Sequence, residues 1–232
     1  MSELSVDKIT GKTGTGGSNS PLQFSGDTVT LGTGTTIGTG ATIGSGASLA
    51  NAIFPAGHVL QVLTTAKTDV YSTSTSAGTF YNPTGLSVAI TPVSTSSKIL
   101  VMCSLFIGTS STYELACKIQ KTISASTSDV LVGDSSGSVS RAMFTRRLSG
   151  ARDSSSSTMI VLDSPNTTSE ITYKPAITVE GGVTIYLNKT QGQADVNHDY
   201  NGASQITVME IAGWEIQQLG MYILMFSLLM QR

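Results

Sequence analysis

Along residues 31–54 an apolar side chain returns at every sixth position, at Leu31, Ile37, Ile43 and Leu49, with Gly32, Gly38 and Gly44 directly after the first three. A fixed six-residue period belongs to stacked β-coils, in which each hexad forms one side of a turn and its aliphatic residue points at the axis. One chain winding alone needs three hexads per coil, so the four hexads LGTGTT, IGTGAT, IGSGAS and LANAIF would make little more than one coil. They gain a dry axis if three chains wind together and each supplies one side of every coil. The pattern therefore predicts a homotrimer with Leu31, Ile37, Ile43 and Leu49 on its axis.

From His58 the pattern changes to period-two alternation interrupted by Ser, Thr and Gly. Leu86, Val88 and Ile90 alternate with polar or small residues and stop before Pro92. Tyr113, Leu115, Cys117 and Ile119 alternate with Glu114, Ala116, Lys118 and Gln120, as a half-exposed strand does. Residues 99–107 are almost continuously apolar, which reads as a strand buried on both faces. Further strands are expected at 59–63, 130–132, 142–148, 158–162, 171–173, 183–188 and 206–211. Eight to ten short strands without helical periodicity predict an all-β sandwich, jelly-roll-like, over residues 58–213, with an open multi-sheet head as the alternative. Residues 1–28, polar and glycine-rich with isolated apolar residues, read as an anchor or arm. Residues 29–57 read as the trimeric shaft and a hinge around Phe54, Pro55 and Gly57. Residues 214–232 contain the apolar run MYILMFSLLM, too short to cross a bilayer as a helix; it reads as a helix packed on the trimer, a strand buried between chains or an appended tail, with burial against another chain favoured because an exposed run of this size would aggregate.

Composition narrows the picture. The chain of 232 residues has 33 Ser, 32 Thr and 24 Gly, yet 39% of it is hydrophobic and its net charge is −2. Disordered chains of similar polarity lack that apolar content and carry more charge. A balance so close to neutral argues against nucleic acid or an anionic membrane as partner. The opening MSELSVDKIT shows no apolar segment of the kind that directs secretion, so cytoplasmic synthesis is expected.

Candidate chemistry is sparse. No GxSxG, Walker, CxxC or HExxH pattern occurs, no cofactor is expected, and the glycine strings of the first fifty residues read as β-repeats rather than as the GxxxxGK[ST] of a phosphate loop between a strand and a helix. Asp195, His198, Asp199 and Tyr200 share the polar loop 191–202 and are candidates for contact with a host surface, since such side chains bond sugar hydroxyls and stack on sugar rings. The loop lacks the spacing of a calcium-binding EF-hand, so no metal site is expected. Arg141, Arg146, Arg147 and Arg152 cluster around Met143 and Phe144. They either grip an anionic polysaccharide or pair with Asp134, Asp153 and Glu170. Tyr81 and Tyr113 are further stacking candidates. Asp163, Glu170, Asp195 and Asp199 are the carboxylates a polysaccharide-cleaving head would have to draw on, but nothing in the sequence ties any two together. Cys103 and Cys117 would lie opposite each other if 99–107 and 113–121 form a hairpin, within disulfide reach; otherwise they are two buried thiols.

The stretches LSVDKITGKTGTGGSNSPLQFSGDTVTLG (4–32), LSVAITPVSTSSKILVMCSL (86–105), VLDSPNTTSEITYKPAI (161–177) and QITVMEIAG (205–213) resemble bacteriophage fibre proteins of a kind frequent in marine phages. The resemblance implies a trimeric virion appendage, joined to other virion proteins at its amino end and carrying a β-rich head. Such chains end near the EIA segment, so residues 214–232 depart from the pattern. The function expected is a structural tail fibre that contacts a host glycan or receptor, without enzymatic activity, nucleic acid or membrane insertion. A capsid decoration or connector protein and a polysaccharide depolymerase are the alternatives.

Overall fold

The computed structural model describes residues 56–149, 153–190 and 199–213. The proposed shaft with Leu31, Ile37, Ile43 and Leu49, the arm 1–28, the tail 214–232, and the side chains of Arg152, Asp195 and His198 lie outside the described residues. Within them the chain is all-β: β1 Val59–Lys67, β2 Tyr71–Ser74, β3 Val88–Ile90, β4 Lys98–Thr109, β5 Glu114–Ile123, β6 Ser126–Asp129, β7 Phe144–Arg147, β8 Ser154–Asp163, β9 Ile171–Val179, β10 Thr184–Leu187 and β11 Ser204–Ile211.

Two antiparallel sheets face each other. The first, sheet A, is built on β4, which pairs along nearly its whole length with β8, from Ile99 opposite Asp163 to Gly108 opposite Ser154. Its other side is shared in line by β11, opposite Lys98 to Ser104, and β10, opposite Ile107 to Thr109. Outside these lie β1 on β11 and β2 on β10. The second, sheet B, runs β3-β9-β5, with β6 and β7 sharing the outer side of β5.

The inner faces supply the core. On β4 the side chains of Ile99, Val101, Cys103, Leu105 and Ile107 are buried; Leu100, Met102, Ser104 and Phe106 on the other face are half-buried. The continuous apolar run thus behaves as one core face and one half-covered face, not as a strand buried on both sides. Leu115, Cys117 and Ile119 of β5, Ile171, Tyr173 and Ile177 of β9, and Ile206 and Val208 of β11 complete the interior. Each such aliphatic side chain contributes about 1.5–3 kcal/mol by leaving water, so the period-two alternation is what holds the sheets face to face.

Several strand bounds differ from the sequence pattern for identifiable reasons. The strand expected at 130–132 is instead β6, because Ser124 and Ala125, both at positive φ (47° and 68°), make a two-residue turn that returns the chain at once. β2, all Tyr, Ser and Thr, carries too little apolar signal to be read. The hairpin placing Cys103 opposite Cys117 does not exist: β4 belongs to sheet A and β5 to sheet B. Both cysteines are buried free thiols. Burial pushes the Cys103 thiol up to about 12 and that of Cys117 well above its ordinary value, with Cys103 adding to the shift at Cys117.

One polar cluster crosses the core. The Asp163 carboxylate, at the end of β8, accepts both of its bonds to Lys121 from the Nζ of that β5 residue (2.8 and 2.9 Å) and a third from the hydroxyl of Tyr173 on β9 (2.7 Å). The desolvated Tyr173 phenol, bonded to a carboxylate, is pushed far above its ordinary pKa. This cluster ties sheet A to sheet B at a buried point, and it removes Asp163 from the carboxylates free to act on a substrate.

Two outcomes follow. Lys121→Met leaves the Asp163 charge buried without its cation and is expected to lower unfolding stability by about 3–5 kcal/mol in urea titration; a loss below about 1 kcal/mol would show that the sheets are not joined through this pair. The thiols are protonated and enclosed, so a water-soluble thiol reagent near neutral pH is expected to label neither Cys103 nor Cys117 in the native protein, and both after denaturation.

Candidate interaction surfaces

The loop singled out by sequence leaves and rejoins sheet A in the middle of the sheet. β10 and β11 occupy one side of β4 in line, and residues 188–203 are an excursion between them. Asn188 closes its base. At φ 64° it takes a left-handed conformation that asparagine tolerates better than most residues. Its side-chain amide donates to the carbonyls of Lys67 (2.8 Å) and Asp69 (3.0 Å), and its Oδ1 accepts from the Ser204 hydroxyl (2.7 Å). Its backbone N–H donates to Phe106 O (2.9 Å), and its own carbonyl accepts the N–H of Gly202 (3.1 Å). Ser204 Oγ in turn accepts the N–H of Phe106 (3.0 Å). Asn188 and Ser204 are almost wholly buried, so the loop springs from a base with satisfied hydrogen bonds.

The returning leg lies on the outer face of sheet A. A Cβ at Gly202 would come within 2.3 Å of the Phe106 ring, which explains the glycine. Asn201 bridges to Lys189, whose ammonium stands 4.7 Å from the centre of the Tyr186 ring. Of the predicted contact residues, Tyr200 is 63% exposed and Asp199 half-buried, side by side on this leg. Tyr81 is committed otherwise, its hydroxyl accepting the N–H of Ser76 at 2.9 Å, and the Tyr113 ring packs on Gly181.

The arginine segment lies at the opposite side of the sandwich. Arg146 and Arg147 are on β7, next to β5, and Arg141 precedes it; all three are exposed. The expected pairing with Asp134, Asp153 and Glu170 does not form the basis of the segment: the ion pairs among the described residues are Lys67–Asp69, Lys118–Asp129 and Lys121–Asp163. Asp153 is held below its ordinary pKa mainly by accepting the N–H and hydroxyl of Ser149, with a smaller contribution from Arg146.

Sequence reading missed a groove beside this segment. It encloses about 550 Å³ between Leu131, Val132, Met143 and Phe144 on one wall and Thr158, Met159 and Ile160 of β8 on the other. Its walls combine apolar side chains with nearly as much polar surface and carry no titratable side chain, a mixture that suits a strand, with its backbone groups and its apolar side chains. Among the described residues no three His, Cys, Asp or Glu side chains converge in a way that could hold a metal ion.

No family model matches the chain, and no curated protein matches it. Among solved structures it is similar to the VP2 subviral particle protein of infectious bursal disease virus, at 12% identity and a TM-score of 0.31, over 66% of this chain and 38% of that one. A chain from the structure of the Gx strain of that virus matches at 13% identity and a TM-score of 0.31, over 68% of this chain and 37% of that one. The chain thus spans less than two-fifths of the length of either, and superposition at that level carries no argument about function.

Asn188→Ala removes the partners of the buried Lys67 carbonyl, the part-buried Asp69 carbonyl and the Ser204 hydroxyl. It is expected to cost about 2–4 kcal/mol in urea unfolding, whereas replacing exposed Tyr200 with Ala is expected to change stability by less than about 0.5 kcal/mol. Equal effects would mean that the loop base is not the anchor described.

Proposed function

We propose that the chain is the structural subunit of a homotrimeric virion fibre, assembled in the host cytoplasm, with residues 1–28 bound to other virion proteins and the sandwich as a head that meets the host surface. The observation that carries this reading is the hexad repeat, too short to close a coil in one chain, set directly before an all-β domain. The head supports it through its loop. Asn188 and Ser204, the described residues that bracket this segment, form a buried base with satisfied hydrogen bonds, so the sequence between them can change without disturbing the core, as a contact surface that follows its receptor requires. Asp195, His198, Asp199 and Tyr200 are the side chains proposed to meet a glycan or protein receptor, and threefold repetition multiplies a weak single contact. The function proposed is adhesion without catalysis. The head takes no part in nucleic-acid binding or membrane insertion and needs no cofactor.

The test replaces residues 191–202 with a short Gly/Ser turn in the full-length protein and measures adsorption to host cells. Lost adsorption by a correctly assembled particle is expected; unchanged adsorption would remove the loop from the reading. Antibody to the head is expected to label the tail in electron micrographs, and labelling of the capsid would favour a decoration or connector protein. Release of reducing sugar from host envelope, abolished by mutating a carboxylate, would favour a depolymerase. Ile43→Asp brings three carboxylates to a dry axis and is expected to prevent assembly; a variant that assembles like the parent would contradict the intertwined shaft.

A further inference from the structure

Sheet A has two long free edges. Among the described residues β1 pairs only with β11 and β8 only with β4. The strands have nine and ten residues, so each edge runs about 30 Å at roughly 3.3 Å per residue. Neither edge is blunted by proline or brevity, and charge is confined to the last residue of each strand, Lys67 and Asp163; β1 has one register shift, between Val59 and Gln61. Residues 59–66 and 154–162 contain no charged residue and no proline. Sheet B differs, since its outer strands β3, β6 and β7 have only three or four residues and β7 carries Arg146 and Arg147.

Both free edges of sheet A are also apolar and exposed. On β1, Val59 is 54%, Val62 52% and Leu63 38% exposed; on β8, Ile160 is 59% and Leu162 56% exposed; and Leu131, on the groove wall facing β8, is 54% exposed. The register sets Val62, Met209, Leu100 and Leu162 in one row across the outer face, from edge to edge.

We infer that these edges meet between copies: β1 of one chain seats against β8 and its groove on the next. The inference rests on the trimer reading above. Three features select a second copy as the occupant. The strands alternate in direction across sheet A, so β1 runs opposite to β8, and in copies arranged in parallel about a threefold axis β1 meets the next β8 antiparallel, as every pair within the head does. A contact between two different edges is head-to-tail and closes as a ring when the copies are held in rotation. An edge about 30 Å long and one strand deep buries less than the roughly 800 Å² per partner of a stable free-standing interface. It therefore suits a partner already tethered, and the hexad repeat lies just ahead of β1 in the sequence.

The test places the photoreactive residue p-benzoylphenylalanine at Ile160 in the full-length protein, an exposed site where the larger ring is tolerated. Irradiation is expected to give covalent dimers and trimers, with the crosslink mapping by mass spectrometry to residues 59–67 of another chain, and the reciprocal probe at Val62 to β8 or the groove. A protein that sediments as a trimer but gives no such crosslink overturns the edge contact and leaves the trimer standing. Crosslinks from Ile160 to β8 of a second chain overturn it in favour of a symmetric pair. A parent protein that sediments as a monomer removes both the trimer and this contact.

Discussion

The structure depends on the pairing of β4. This twelve-residue strand carries the inner row Ile99, Val101, Cys103, Leu105 and Ile107, and both of its sides are hydrogen-bonded, to β8 on one and to β11 and β10 on the other. Because two strands share one side in line, the chain must leave the sheet between them, and residues 188–203 are that departure. The same arrangement leaves β8 and β1 as the outer strands. The mid-sheet base at Asn188 and Ser204 and the two apolar edges are therefore consequences of how a single strand is paired.

Polar side chains do the remaining positioning, and they do it where a backbone ladder stops. Asn188 and Ser204 bond the carbonyls and amides freed where β1 and β10 break off, between Lys67 and Asp69 and beside Phe106. Glu210 on β11 is fully buried; it accepts the Gln61 amide (2.6 Å) and the N–H of Val93 (2.7 Å), fixing the segment after β3 against sheet A. Asp163, Lys121 and Tyr173 join the two sheets at the far end of β8. Each cluster is buried and bonded, which is the condition for a polar group to stabilise a core rather than weaken it.

The sandwich was legible where alternation was strong. The strands around Val88, Leu115, Ile171 and Ile206 lie where the apolar period puts them. The cross-sheet pairs were not legible, because a sequence does not say which strand crosses to the other sheet; Cys103 and Cys117 look like hairpin partners until β4 and β5 are assigned to different sheets. The clasp at Asn188 left only a faint trace, an asparagine directly after the strand residues Ile185 to Leu187, since its role depends on carbonyls more than a hundred residues away. The groove arises from the packing of 131–144 against β8 and has no sequence signature. For the candidate site the polar loop could be found, but its mid-sheet base could not.

The proposed fibre turns on three chains acting as one, because avidity of the loop, a dry axis for the hexad repeat and edge contacts between copies would each require it. Equilibrium sedimentation of the full-length protein tests this most directly. The account predicts a single species of three times the 24.1 kDa chain mass, unchanged on dilution through the micromolar range. A stable species of one chain mass in that range would contradict it.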